Sequence, residues 1–72
     1  MAKYNNIKAE LERKGLKVSD LAEYMELSVQ AVQYKLNGRG GVCLRDMVDI
    51  ELFLEKAHGH RFSLDYLFEP FE

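Results

Sequence analysis

The 72-residue sequence predicts an all-α domain of five short helices. Three observations carry this reading. Apolar residues recur at three- and four-residue spacing, no stretch alternates apolar and polar residues for long, and glycines follow the ends of the clearest helical patterns.

The first helix is expected from about Tyr4 to Lys14, with Ile7 and Leu11 four apart on its inner face and Gly15 as a left-handed stop. In the second, Leu21, Ala22 and Met25 turn inward and Val18 leads in. Ser19 and Asp20 set oxygen acceptors and negative charge against its exposed first amides. Leu27 is expected to be buried in the turn that follows. Ser28 then N-caps a third helix, Val29 to Leu36, anchored by Val32 and Leu36 and ended by the loop Asn37-Gly38-Arg39-Gly40-Gly41. The fourth helix is expected from about Leu44 to His58, burying Leu44, Met47, Val48, Ile50 and Leu54 and stopping at Gly59. Ser63 caps a last helix, Leu64 to Phe68, closed by Pro70.

The chain is long enough for one domain, residues 1–72, with one modest core. Such a core supplies roughly 3–5 kcal/mol, so a dimer partner or a ligand adds usefully to its stability. Apolar residues make up 47% and charged residues 31%, the balance of a globular chain rather than a disordered one. No membrane span or secretory signal is read, and the one cysteine, Cys43, cannot form an internal disulfide. A cytoplasmic protein with no membrane partner is expected. The net charge of −2 is unevenly spread. From Leu27 to Arg45 there are three bases (Lys35, Arg39, Arg45) and no acid, whereas Asp46 to Glu72 holds seven acids and two bases. An acid-free window inside an acidic chain marks a surface suited to a polyanion, unless it is chance in a short stretch.

The stretch from Val18 to Gly38, with a helix-turn-helix at about 18–36, carries the functional information. A helix-turn-helix needs a small residue where the second helix crosses the first, an apolar residue in the turn, and an apolar anchor in the second helix. Ala22, Leu27 and Val32 meet these needs, and they leave Val29, Gln30, Gln33 and Tyr34 on the outer face of the third helix. That helix is the one to enter a major groove.

Leu16 to Gly38, with Leu21-Ala22, Leu27-Ser28, Val32 and Asn37-Gly38, resembles the Cro/repressor-type (XRE-like) helix-turn-helix family. The closing Ser63-Leu64-Asp65-Tyr66-Leu67-Phe68 is similar to that family's last helix. The resemblance implies a compact five-helix lambda-repressor-like domain, found in bacterial and temperate-phage transcriptional regulators, many of which bind paired half-sites as dimers. Three departures stand out, one of them that the outer face of the third helix is poor in arginine. Family members usually carry a glycine where this chain has Glu26, and often a threonine-glutamine pair where Lys17-Val18 stands.

Within this frame Gln30 and Gln33 are suited to an adenine edge, Val29 to a thymine methyl, and Tyr34 to a phosphate or a base edge. The alternatives are solvated helix residues for the glutamines and a protein-binding surface for Val29 and Tyr34. Lys35, Asn37, Arg39 and Arg45 suit phosphate contacts; Ser28 is first a cap and only then a phosphate ligand. His58 and His60 read as loop histidines, since two histidines and a distant Cys43 make no usual zinc set. No phosphate-cradling glycine motif and no nucleophile–base pair emerges, so no enzyme activity, cofactor or small-molecule substrate is expected. The expected partners are double-stranded operator DNA and a second copy of the chain in a homodimer. Leu52, Phe53, Tyr66, Phe68 and Phe71 are available for that pairing, or else to close the last helix onto the fourth. The competing expectation is a phage modulator that binds a partner repressor protein through the same surface.

Overall fold

The computed structural model describes residues 3–39 and 41–69. Gly40, Pro70 and Phe71 lie outside them. The described residues form α1 (Asn5–Arg13), α2 (Val18–Met25), α3 (Val29–Leu36), α4 (Leu44–His58) and α5 (Leu64–Leu67), with no strand among them. α3 and α4 have the bounds their spacing predicts, and α5 ends one residue early at Leu67. This is a small all-α helix-turn-helix domain: α2 and α3 are joined by the short turn Glu26–Ser28 and packed on each other.

The core comprises Ile7, Leu11, Leu21, Ala22, Val32, Leu36, Ile50, Leu54 and Leu67, each 3% exposed or less. α2 packs on both α3 and α4, α1 packs on α3 and α5, and α5 closes on α4. Phe53, Tyr66 and Phe68 pack against this core rather than standing free, whereas Leu52 is exposed.

Three helices end in the same hydrogen-bond pattern, which satisfies carbonyls the last turn would otherwise orphan. After α1, Leu16 N–H donates to the Leu11 carbonyl (2.9 Å) and Gly15 N–H to that of Glu12 (3.0 Å). After α2, Leu27 N–H donates to Ala22 (2.9 Å) and Glu26 N–H to Glu23 (3.2 Å); after α3, Arg39 N–H donates to Tyr34 and Gly38 N–H to Lys35 (both 3.0 Å). The pattern requires a left-handed residue, and two of the three are glycine: Gly15 at φ 65° and Gly38 at φ 75°. The third is Glu26 at φ 59°, the one non-glycine residue with positive φ among those described. A Cβ in this region costs about 1–2 kcal/mol, and the extra backbone entropy of glycine takes back about 0.5–1 kcal/mol. Glu26→Gly is therefore expected to stabilise the domain by about 0.5–1 kcal/mol, read as a higher urea midpoint at unchanged slope. An equal gain from Glu26→Ala would show that the carboxylate, not the backbone, is the source.

The same motif explains why Leu27, expected to be buried, is 37% exposed. The residue after the left-handed position normally rests on the residue five positions back. Leu16 has Leu11 there and is half-buried, but Leu27 has only the methyl group of Ala22. Leu44 and Val48 also depart from expectation, at 69% and 41% exposed. α4 turns Ile50 and Leu54 fully inward, with Met47 half-buried, which rotates the line through Leu44 and Val48 to the outside.

Polar side chains close the remaining helix ends. Ser28 Oγ accepts from Ala31 N–H (3.1 Å), and an Asp20 carboxylate oxygen accepts from Lys17 N–H (2.9 Å). Ser63 occupies the N-cap position of α5, but its side chain makes no capping bond. His58 is not a loop residue. It is the last residue of α4, with its side chain 7% exposed and its Nε2 3.0 Å from the Glu10 carbonyl oxygen. A carbonyl only accepts, so Nε2 carries the hydrogen. Glu10 itself is 3% exposed. Its carboxylate accepts from the Tyr66 hydroxyl at 2.7 Å and lies 3.2 Å from the Arg13 guanidinium, tying α1 to α5.

Candidate nucleic-acid interface

With Val32 and Leu36 inward, the opposite face of α3 presents Gln30, Gln33, Tyr34 and Asn37 at i, i+3, i+4 and i+7. Gln30 and Gln33 are exposed, and Tyr34 is 52% exposed. These four residues, with Lys3 and Arg39, line one open groove of about 240 Å³. Its two cationic members arrive by backbone hydrogen bonds. Gly38 reverses the chain, and the Arg39 amide returns to the Tyr34 carbonyl, which fixes Arg39 against the end of α3. The Tyr4 amide donates to the Leu36 carbonyl at 2.9 Å, which brings Lys3 to the same helix end. Lys8 Nζ donates to Asn37 Oδ1 at 2.7 Å, so Asn37 has its amide hydrogens to offer a ligand.

The groove thus combines two glutamines able to both donate and accept, a phenol, an amide and two cations. The surface presents hydrogen-bond donors and acceptors side by side, next to two positive charges. Of the residues singled out by sequence, Gln30, Gln33, Tyr34, Asn37 and Arg39 are brought together here. Val29 lies exposed beside them on the first turn of α3, and Ser28 is committed to its cap. Arg45 is exposed on the first turn of α4, outside the groove.

Lys35, expected to suit a phosphate contact, lies outside the groove. Its ammonium lies 2.9 Å from the Asp46 carboxylate and 3.1 Å from the Gly41 carbonyl, half-buried between α3 and α4. Burial pushes the Asp46 carboxyl up, but the hydrogen bonds from Lys35 and from Cys43 outweigh it and hold its pKa below the ordinary 3.8. The resulting stabilisation is present above that value and lost as pH falls through the depressed one. Lys35 thus staples the loop to α4, with its charge already paired. Lys3 was missed, because nothing in local spacing connects the start of the chain with the end of α3.

No family model matches the sequence, and no curated protein or solved structure matches it significantly. No described helix is long and apolar enough to cross a membrane.

Proposed function

We propose that this chain is a sequence-specific DNA-binding transcriptional regulator of the Cro-like kind. It reads a double-stranded operator with α3, pairs as a homodimer, and works in the cytoplasm of a bacterial or phage-infected cell. The observation that carries this is the groove at α3. Its glutamine, tyrosine and asparagine side chains follow one helical face, flanked by Arg39 and Lys3. A helix presented in this way suits the major groove, with Arg39 and Lys3 on the phosphates and Gln30 and Gln33 on base edges. The resemblance of Leu16 to Gly38 to the Cro/repressor-type family supports the same reading.

Selection of bound duplexes from a random pool tests it. A consensus is expected to emerge, with affinity falling steeply as salt rises. Gln30→Ala is expected to cost about 1–3 kcal/mol of discrimination at one base position. Arg39→Ala should weaken all sequences alike and reduce the salt slope by about 1. Lys35→Ala is expected to leave the slope unchanged, because that ammonium is already paired with Asp46. A Gln30→Ala variant that selects the same consensus with the same preference defeats the assignment.

A second reading rests on Leu27, Val29 and Tyr34, which expose apolar surface at 37%, 40% and 52% along the same helix pair. Such a patch suits a modulator that binds a partner repressor. That reading requires no DNA binding alone and complex formation when a cognate repressor is added.

A further inference from the structure

α4 carries a second apolar line that the core does not use. Leu44, Val48 and Leu52 stand at i, i+4 and i+8 and are 69%, 41% and 37% exposed. The two ends of this line differ in shape. At the N-terminal end Leu44 projects as a nearly free side chain. At the other end Val48 and Leu52 join Phe62 and Leu64 in an open cleft of about 230 Å³, with Glu51 and the ion pair Glu55–Arg61 (3.5 Å) completing its walls. Charge follows the same polarity. Arg45, beside Leu44, makes no ion pair among the described residues; towards the cleft Asp49 and Glu51 likewise make none, while Glu55 is paired with Arg61.

A knob at one end of a helix and a socket at the other fit reciprocally, each filling the other, only when a second helix runs antiparallel. The two-fold axis of that pairing falls at Val48 and sets Leu44 of each copy over Leu52 of the other, since both lie four residues from it. Arg45 of each copy then arrives opposite Glu51 of the other, since both lie three residues from the axis. We propose that a second copy of this chain packs on α4 in this antiparallel arrangement, with each Leu44 seated in the other copy's cleft. The proposal specifies the surface of the homodimer in the functional reading above, but nothing in it requires DNA. A contact between single helices buries less than the roughly 800 Å² per partner of a standard interface. The dimer is therefore weak and concentration-dependent, in the micromolar range.

Sedimentation velocity of the full chain over a range of concentrations tests this directly. The expected result is a monomer–dimer equilibrium. Val48→Glu sets two carboxylates face to face on the axis and should raise the dissociation constant by about a hundredfold or more. Because Val48 is exposed, the dilute variant should keep its helical circular dichroism and its melting temperature. Orientation is read by crosslinking in a Cys43→Ser background. Val48→Cys alone should oxidise to a covalent dimer, Leu52→Cys alone should not, and Leu44→Cys mixed with Leu52→Cys should crosslink as a heterodimer. A chain that stays monomeric at high concentration, a dimer indifferent to Val48→Glu, or efficient crosslinking through Leu52→Cys alone overturns the proposal. A monomer that engages only a partner repressor through this face overturns it as well. A dimer that behaves as expected but selects no DNA upholds this pairing and defeats the operator reading, so the two fail separately.

Discussion

Glu10→Ala is expected to destabilise the domain by about 2–3 kcal/mol, a large part of the roughly 3–5 kcal/mol that a core of this size supplies. The Glu10 carboxylate is nearly fully enclosed and accepts the Tyr66 hydroxyl at 2.7 Å. Truncation leaves that hydroxyl without its acceptor and opens a void between α1 and α5. Glu10→Gln keeps an acceptor of the same shape and should cost less than about 1 kcal/mol. The Arg13 arm adds little, because the guanidinium is 68% exposed and water screens it. A pH readout separates the hydrogen bond from simple packing loss. The bond to Glu10, with burial second, raises the Tyr66 pKa above its ordinary 10.0. A raised folded-state value means the stabilisation is fully present below the unfolded pKa and lost as pH rises through the folded one. Urea midpoints should therefore fall on the alkaline side in the native chain, and that decline should flatten in Glu10→Ala and in Tyr66→Phe. An alkaline decline that survives in Tyr66→Phe assigns it to another group.

This network was invisible in the sequence for a physical reason. Glu10 sits one residue before Leu11 in a stretch that otherwise reads as a solvated face, and its partners Tyr66 and His58 are 56 and 48 positions away. Helical periodicity reports which face is apolar, and it carries no information on which polar residue a distant aromatic will cover. The elements themselves were legible because their stop signals are local: glycines at Gly15, Gly38 and Gly59 and caps such as Ser28 each act within a few residues. The outer face of α3 was legible for the same reason, since Val32 and Leu36 alone determine which residues oppose them. The Lys35–Asp46 pair is not legible in local spacing because it spans the loop between two helices, nor is Lys3 at the groove, because a backbone bond from Tyr4 to Leu36 delivers it. Glu26 shows the opposite case. The hydrogen-bond pattern that joins α2 to α3 is required by the turn, and the fold forms there against the preference of the residue.

α4 is where periodicity alone is ambiguous, and it yields the largest stability prediction. The helix has two apolar lines, Met47–Ile50–Leu54 and Leu44–Val48–Leu52, and both satisfy helical spacing. Only the first turns into the core, which leaves Leu54 at 0% exposed and Leu44 at 69%. Leu54→Ala should cost about 2–5 kcal/mol, enough to leave much of the chain unfolded without denaturant. Leu44→Ala, the same chemical change ten residues earlier, should cost no more than about 0.5 kcal/mol when measured at dilution, where self-association makes no contribution. Thermal melts followed by helical circular dichroism compare the two directly. If Leu44→Ala proves as damaging as Leu54→Ala in the dilute monomer, α4 is rotated about its axis relative to the core. Leu44, Val48 and Leu52 would then be unavailable to a second copy.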